Sequence, residues 1–342
     1  MIKASLIIER YLYKNEVFKN KSPLNRDNTF DRYIKLKKEL KNNFIDISTA
    51  DINIPEDSQI IIYVNTPKKF IKENNKLYVL FLVENGTIWP RNQKKINHEL
   101  FDIVFTWNDK LVDEKKYYKF NLSYSRENIS QNILSSKRTK LVNAIFGKKF
   151  KKNTLYKERL RLIKFFDKKK EFDLYGFGWD NFFFNKYPFT YFNRFKFLQK
   201  IFISLRLNFK SYKGTIEDKL STMELYDYSV AFENSSDYEG YITEKIFHPM
   251  MAGSIPIYLG ASNISKYVPS NCFIDFRDFR SLEDLYEYLK NLSENKKSNF
   301  RLNIKKFIFS KQFLQFDSLQ NAKKISKIIL DTYTKKNETK IF

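Results

Sequence analysis

Ala231-Phe232-Glu233-Asn234-Ser235, Gly240-Tyr241-Ile242-Thr243-Glu244-Lys245-Ile246-Phe247 and Ala252-Gly253-Ser254-Ile255-Pro256-Ile257-Tyr258-Leu259-Gly260 follow one another in the second half of the chain. The first run ends a buried strand, the second crosses a polar loop into a helix near Thr243, and the third stops that helix at Gly253 and opens the next strand. A loop at the carboxyl end of a strand is where open α/β sheets bind ligands. Free N–H groups at the helix start attract a diphosphate, Lys245 adds positive charge, and Glu244 can accept hydrogen bonds from ribose hydroxyls. Thr-Glu-Lys at a helix start also serves as a plain N-cap with a solvated ion pair.

Outward from this centre, strand and helix signals alternate. Apolar runs predict strands over 228–232, 255–259 and 272–276, with helices over 243–252 and 281–292. Upstream, Leu160, Ile163 and Phe166 share one face of a helix over 156–166, and a strand over 172–175 stops at Gly176 and Gly178. The first half repeats the pattern, with strands over 59–64, 77–83 and 102–106 and a lysine-rich helix over 31–42. Alternation of this kind predicts α/β units with mostly parallel sheets. With 342 residues, the chain exceeds what one core supports, and the boundary between two units is expected at 145–152, around the basic stretch 148–152.

Beyond the opening runs, Val268-Pro269, Phe273-Ile274 and Asp278-Phe279 complete a string over roughly residues 224–290. The string resembles the donor-binding signature of the family 10 glycosyltransferases, the α-1,3/1,4-fucosyltransferases. The resemblance implies a GT-B fold, α/β with two Rossmann-like domains facing across a cleft. Residues 1–148 are then the acceptor domain, 149–310 the nucleotide-sugar domain and 311–342 a basic helical tail. It further implies transfer of fucose from GDP-fucose, with inversion, to a hydroxyl of a glycan that contains N-acetylglucosamine, in α-1,3 or α-1,4 linkage.

Inversion requires one carboxylate to take the acceptor proton while cations stabilise the departing diphosphate. The resemblance makes Glu84, in Leu80-Phe81-Leu82-Val83-Glu84-Asn85, the catalytic carboxylate; taken alone, the same residue reads as an exposed acid at a strand end. Arg159 corresponds to the arginine that holds the donor phosphates, with Arg161 as the alternative. Lys245 shares the leaving-group charge, Asn234 and Tyr241 hydrogen-bond the phosphates, Glu244 holds the ribose, and Glu233 serves acceptor binding or loop structure. His98 and His248 read as packing residues. There is no Asp-x-Asp, so metal-independent transfer is expected, with no cofactor beyond the donor. Three features depart from the family pattern: the acidic loop Ser235-Ser236-Asp237-Tyr238-Glu239, Leu259 where an aromatic is common, and the insertion 182–213 where a shorter connection is expected.

Composition narrows the partners. Lys and Arg number 62 against 39 Asp and Glu, a net charge of +23 that favours polyanions: nucleic acid, an anionic membrane surface or a phosphorylated substrate. Apolar residues at 42% argue for a folded chain. The single Cys272 excludes an internal disulfide and, with two histidines, a usual structural zinc site. The start is too polar for a signal peptide, and no window approaches the ~18 apolar residues of a transmembrane helix. The expectation is therefore a protein at the cytoplasmic face of a membrane, acting on a lipid-linked glycan. The insertion 182–213, with Tyr191-Phe192-Asn193-Arg194-Phe195-Lys196-Phe197, is either an amphipathic helix pair or a basic aromatic surface lying in lipid headgroups. Two rival readings are a same-fold transferase using another nucleotide sugar and, more distantly, a nucleic-acid-binding protein, although no nucleic-acid-binding signature is present.

Overall fold

The computed structural model describes residues 1–25, 28–69, 71–122, 124, 129–134, 138–149, 154–180, 191, 194–195, 197, 209–236 and 238–338. Most of the basic aromatic insertion 182–213 lies outside the described residues. Among those described, two parallel sheets form. The first joins β1 (Ile2–Ile7), β2 (Ile45–Thr49), β3 (Ile60–Val64), β4 (Leu77–Leu82), β5 (Ile103–Thr106) and β6 (Tyr117–Lys119) in the order β2-β1-β3-β4-β5-β6. The second joins β7 (Lys140–Ile145), β8 (Phe172–Tyr175), β9 (Tyr226–Phe232), β10 (Ile255–Leu259) and β11 (Ile274–Asp275) in the order β11-β10-β9-β7-β8.

The helices are α1 (Asp31–Asn42), α2 (Tyr156–Phe166), α3 (Lys219–Met223), α4 (Glu244–Met251), α5 (Leu282–Asn291), α6 (Glu294–Ile308) and α7 (Ser318–Glu338). β7 pairs with β8 and β9, so the chain has entered the second sheet by Lys140, ahead of the expected boundary at 148. α7 then returns to the first unit. It packs along α1 with Ala322, Ile325 and Ile329 buried, Asn43 Nδ2 donates to Ser326 Oγ at 2.7 Å, and Lys336 Nζ reaches Asp102 at 3.0 Å.

β7 carries a buried polar residue whose side-chain N–H finds a partner while its Oδ1 finds none among the described residues. Asn143 is fully buried and donates to Ser229 Oγ at 2.8 Å, and Ser229 in turn meets Ser254 Oγ at 2.8 Å, a polar rung across the second sheet. The strand expected over 272–276 shrinks to Ile274–Asp275, because Asp275 accepts the Arg277 N–H at 3.0 Å and turns the chain into a 3-10 turn.

α4 ends where the sequence places its stop. Gly253 has φ +70°, and a Cβ there would meet Ile133 Cα at 2.6 Å. Gly253→Ala is expected to cost more than ~1 kcal/mol, since the site combines left-handed backbone with backbone contact. Chemical denaturation of the two proteins measures the loss.

Candidate active site

In the second sheet the chain lays down β7, adds β8 on one side and then moves to β9 on the other. The topological switch point therefore lies between β7 and β9, and a crevice opens at their carboxyl ends. Arg159, on α2, spans it. One Nη donates to the carbonyl of Phe232 at 2.5 Å and to Asn234 Oδ1 at 3.2 Å, while the guanidinium lies 4.6 Å from the Phe146 ring centre and 4.9 Å from that of Tyr156. Planar stacking and forked donation are what arginine does and lysine cannot. Burial pulls the Arg159 pKa down, but arginine stays charged, and its Nε makes no hydrogen bond among the described residues. Arg161 instead points outward and pairs with Glu158 at 3.3 Å. The structure therefore turns Arg159 inward.

Asn234 is fixed from two sides, its carbonyl accepting the Leu155 N–H at 3.0 Å and its side chain accepting from Arg159. Next to it, Glu233 has no exposed surface. Its carboxylate accepts both the N–H and the hydroxyl of Thr243 at 2.8 Å and lies 3.5 Å from Lys245 Nζ, so the contacts Glu233 makes are with its own loop. Thr243 caps α4, and Lys245 Nζ sits 3.0 Å from Thr243 Oγ1 and 3.1 Å from Glu244.

The charges within this group separate. Burial works against ionisation throughout, but beside Lys245 it is outweighed for Glu244, whose pKa falls well below the carboxylate range. Lys245 is likewise held above its ordinary value by Glu244 and Glu233. For Glu233 burial wins and its pKa rises. The helix start thus presents a lysine ammonium that cannot deprotonate near neutrality, beside an ionised Glu244.

Across the cleft stands Glu84, just after β4. Two asparagines set its backbone. Asn65, with φ +63° after β3, accepts the N–H groups of Val83 and Glu84 at 3.1 and 2.9 Å, and Asn92 donates to the Glu84 carbonyl and to Asn65 Oδ1, both at 2.8 Å. Asn92 Oδ1 in turn accepts from Thr66 N at 2.9 Å. Among the described residues the half-buried Glu84 carboxylate makes no hydrogen bond of its own. Burial raises its pKa; Lys245, across the cleft, pulls it down, while Glu244 and Glu9 push it up.

The acidic loop after Asn234 turns out to be an interdomain contact. Gly240 has φ +78°, and a Cβ on it would meet the Trp107 carbonyl at 2.3 Å. Trp107 lies edge-on to Tyr241 at 4.8 Å and to Tyr238 at 5.6 Å, and Lys110 faces Glu239 at 3.6 Å. Beneath, Asp109 accepts from Lys119 at 2.5 Å, from Asn263 at 2.7 Å and from Tyr267, and Asn263 accepts the Gly240 N–H at 2.9 Å. Tyr241 is consequently buried against the first unit and within electrostatic range of Glu84 and Glu233. Sequence reasoning missed Asn65, Asn92, Trp107 and Asp109. The only local signal was polar residues following strands β3 and β5.

Both histidines pack. His98 is buried, and burial pushes its pKa down to about 4; His248 lies against the Tyr124 ring. Cys272 is buried with its thiol pushed up to about 12, an inert state. Among the described residues no group of three or more His, Cys, Asp or Glu could hold a metal ion.

Residues 135–302 match the model of the glycosyltransferase family 10 (fucosyltransferase) C-terminal domain. That stretch, just under half of the chain, is similar to the glycosyltransferase family 10 domain. It is 41% identical over 73 residues to an alpha-(1,4)-fucosyltransferase of Arabidopsis thaliana, covering 21% of this chain and 18% of that protein. It is also 41% identical over 80 residues to 4-galactosyl-N-acetylglucosaminide 3-alpha-L-fucosyltransferase 9 of Mus musculus, covering 23% and 21%. The chain thus spans about a fifth of the length of these curated relatives. Among solved structures, an alpha1,3-fucosyltransferase with GDP-fucose superposes with a TM-score of 0.55 at 17% identity, over 88% of this chain and 81% of that one. Anabaena HepE in complex with UDP and glucose gives 0.57 at 10% identity, over 96% and 99%. The fold is GT-B.

A carboxyl whose folded pKa is raised is deprotonated more readily in the unfolded chain, so it lowers stability as pH climbs above the ordinary value of 4.5. Glu84→Gln removes that term. Its melting temperature is expected to exceed the wild-type value at pH 7 to 8 and to converge on it as the pH falls towards 4, measured by thermal unfolding across pH.

Proposed function

We propose that this protein transfers fucose from GDP-fucose to a hydroxyl of an N-acetylglucosamine-containing glycan, forming an α-1,3 or α-1,4 linkage with inversion. The observation that carries the reading is a half-buried carboxylate of raised pKa, Glu84, facing a fixed ammonium, Lys245, across a GT-B cleft, with the Arg159 guanidinium within electrostatic range of that ammonium. A general base works best when its pKa lies near the operating pH, which the burial of Glu84 favours. Glu84 takes the proton of the acceptor hydroxyl as that oxygen bonds to the sugar's anomeric carbon. The bond from that carbon to the β-phosphate oxygen breaks, and its electron pair leaves on GDP.

Lys245 and Arg159 take up the charge of the leaving diphosphate without a metal ion, and no cofactor beyond the donor is called for. Glu244, ionised beside Lys245, accepts from the ribose hydroxyls, while Asn234 and Tyr241 border the phosphates. Glu233 supports the site by closing its loop. The names of the relatives from Arabidopsis and mouse support fucose as the sugar and the mouse name supports the acceptor class. The basic charge fits work at the cytoplasmic face of a membrane, on a lipid-linked oligosaccharide or lipopolysaccharide.

Thermal unfolding with GDP-fucose, GDP-mannose, UDP-galactose and UDP-N-acetylglucosamine tests the donor. At ~100 times its dissociation constant a ligand stabilises the fold by about 2.7 kcal/mol. GDP-fucose is expected to give the largest shift, and Lys245→Ala and Arg159→Lys to lose most of it. A larger shift with another nucleotide sugar would transfer the reading to that donor.

A further inference from the structure

The two faces of the first sheet are covered differently. One lies under α1 and α7. The other presents Ile61, Tyr78, Leu80, Leu82 and Val104, and is crossed by the connection from β3 to β4, with no helix in its described residues, and by that from β4 to β5, with two 3-10 turns. A groove of about 880 Å³ remains there, floored by Ile61, Tyr63 and Tyr78. Its lips raise three aliphatic side chains into water: Ile71 is 88% exposed, Ile96 68% and Leu100 46%.

The lips are held in place and are basic. Arg91 joins the two connections by donating to the carbonyls of Pro67 at 2.9 Å and Lys68 at 3.0 Å, so its guanidinium charge has no carboxylate against it in these contacts. Lys68 and Lys69 line the same groove and are exposed. Of the two acids present, Glu73 is already paired with Lys76 at 2.8 Å, leaving Glu56.

We propose that this face docks on a bilayer containing anionic phospholipid, with Ile71, Ile96 and Leu100 entering the interfacial layer and Lys68 and Lys69 meeting headgroup phosphates. Aliphatic tips flanked by lysines suit the boundary between headgroups and acyl chains. A protein partner would favour aromatic, Met and Arg side chains, with lysine depleted. The net charge of +23 adds long-range attraction to the same surface. The second connection runs from Glu84 through Asn92 to these lips, so a docked bilayer would lie beside the acceptor half of the cleft. The inference goes beyond the transfer reaction and does not depend on the donor.

Co-sedimentation of the full chain with vesicles tests it, in the absence of any nucleotide. The protein is expected to pellet with mixed phosphatidylcholine and phosphatidylglycerol vesicles and to stay in solution with phosphatidylcholine alone. Lys68→Glu with Lys69→Glu should lower binding about 25-fold or more, since each juxtamembrane lysine contributes about a factor of five. Separately, Ile71→Asp with Ile96→Asp should lower it about tenfold or more by removing the apolar contact with the interfacial layer. Both pairs should melt as wild type does, and Lys323→Glu with Lys327→Glu on α7 should keep most of the binding. Equal binding to neutral vesicles, no vesicle binding, or loss confined to the α7 variants would overturn the proposal. So would self-association abolished by the groove variants without any lipid binding, which would assign the face to a second copy of the chain.

Discussion

One buried carboxylate organises what the second sheet offers the cleft. Glu233 sits at the end of β9 with no exposed surface and bonds both polar groups of Thr243, ten residues further on. The loop is thereby closed on itself, the N-cap of α4 is locked, and Lys245 is placed between two acids. A desolvated carboxylate is costly unless hydrogen-bonded and paired, and here it has two donors and an ammonium. Removing it would leave Lys245 with Glu244 alone and release the Thr243 cap of α4.

The closed loop has a second consequence, for its outer edge is where the two units touch. Gly240 lets the chain come within van der Waals distance of the Trp107 carbonyl, and Asp109 gathers a lysine, an asparagine and a tyrosine around that contact. Glu84 sits on the other side of the same cleft, with its backbone fixed by Asn65 and Asn92. The spacing between Glu84 and the cations is thus set by short polar contacts around one loop, together with α7, the last helix, which packs against α1 of the first unit. α7 also accounts for the differing faces of the first sheet: it seals one of them beside α1, while the other is left to loops.

Much of this was legible in sequence, unevenly. Helices α1 and α2 and strands β8 and β10 fall where apolar periodicity places them, because each buries a regular face. β1, β2 and β7 escaped notice. Ser5, Ser48 and Asn143 break their apolar runs; Ser48 and Asn143 meet hydrogen-bond partners that only the fold brings together, while Ser5 Oγ has none among the described residues. The strand-loop-helix run from Phe232 to Gly260 carried both the position of the candidate site and the resemblance to family 10, since its meaning is local. The choice between Arg159 and Arg161 could not be read, because two residues along a helix separate inside from outside only once the helix is packed. Asn65, Asn92, Trp107 and Asp109 stayed hidden for a related reason: their partners lie on other strands or in the other unit.

In the proposed reaction Glu84 acts as a base in transfer and contributes little to holding the donor. The most direct measurement is the initial rate of sugar transfer by Glu84→Gln at saturating donor, alongside its donor dissociation constant. The account predicts a fall in rate of about 10²- to 10⁴-fold, with donor affinity near the wild-type value. A variant that transfers sugar at close to the wild-type rate, or one whose loss of rate is matched by an equal loss of donor binding, would contradict it.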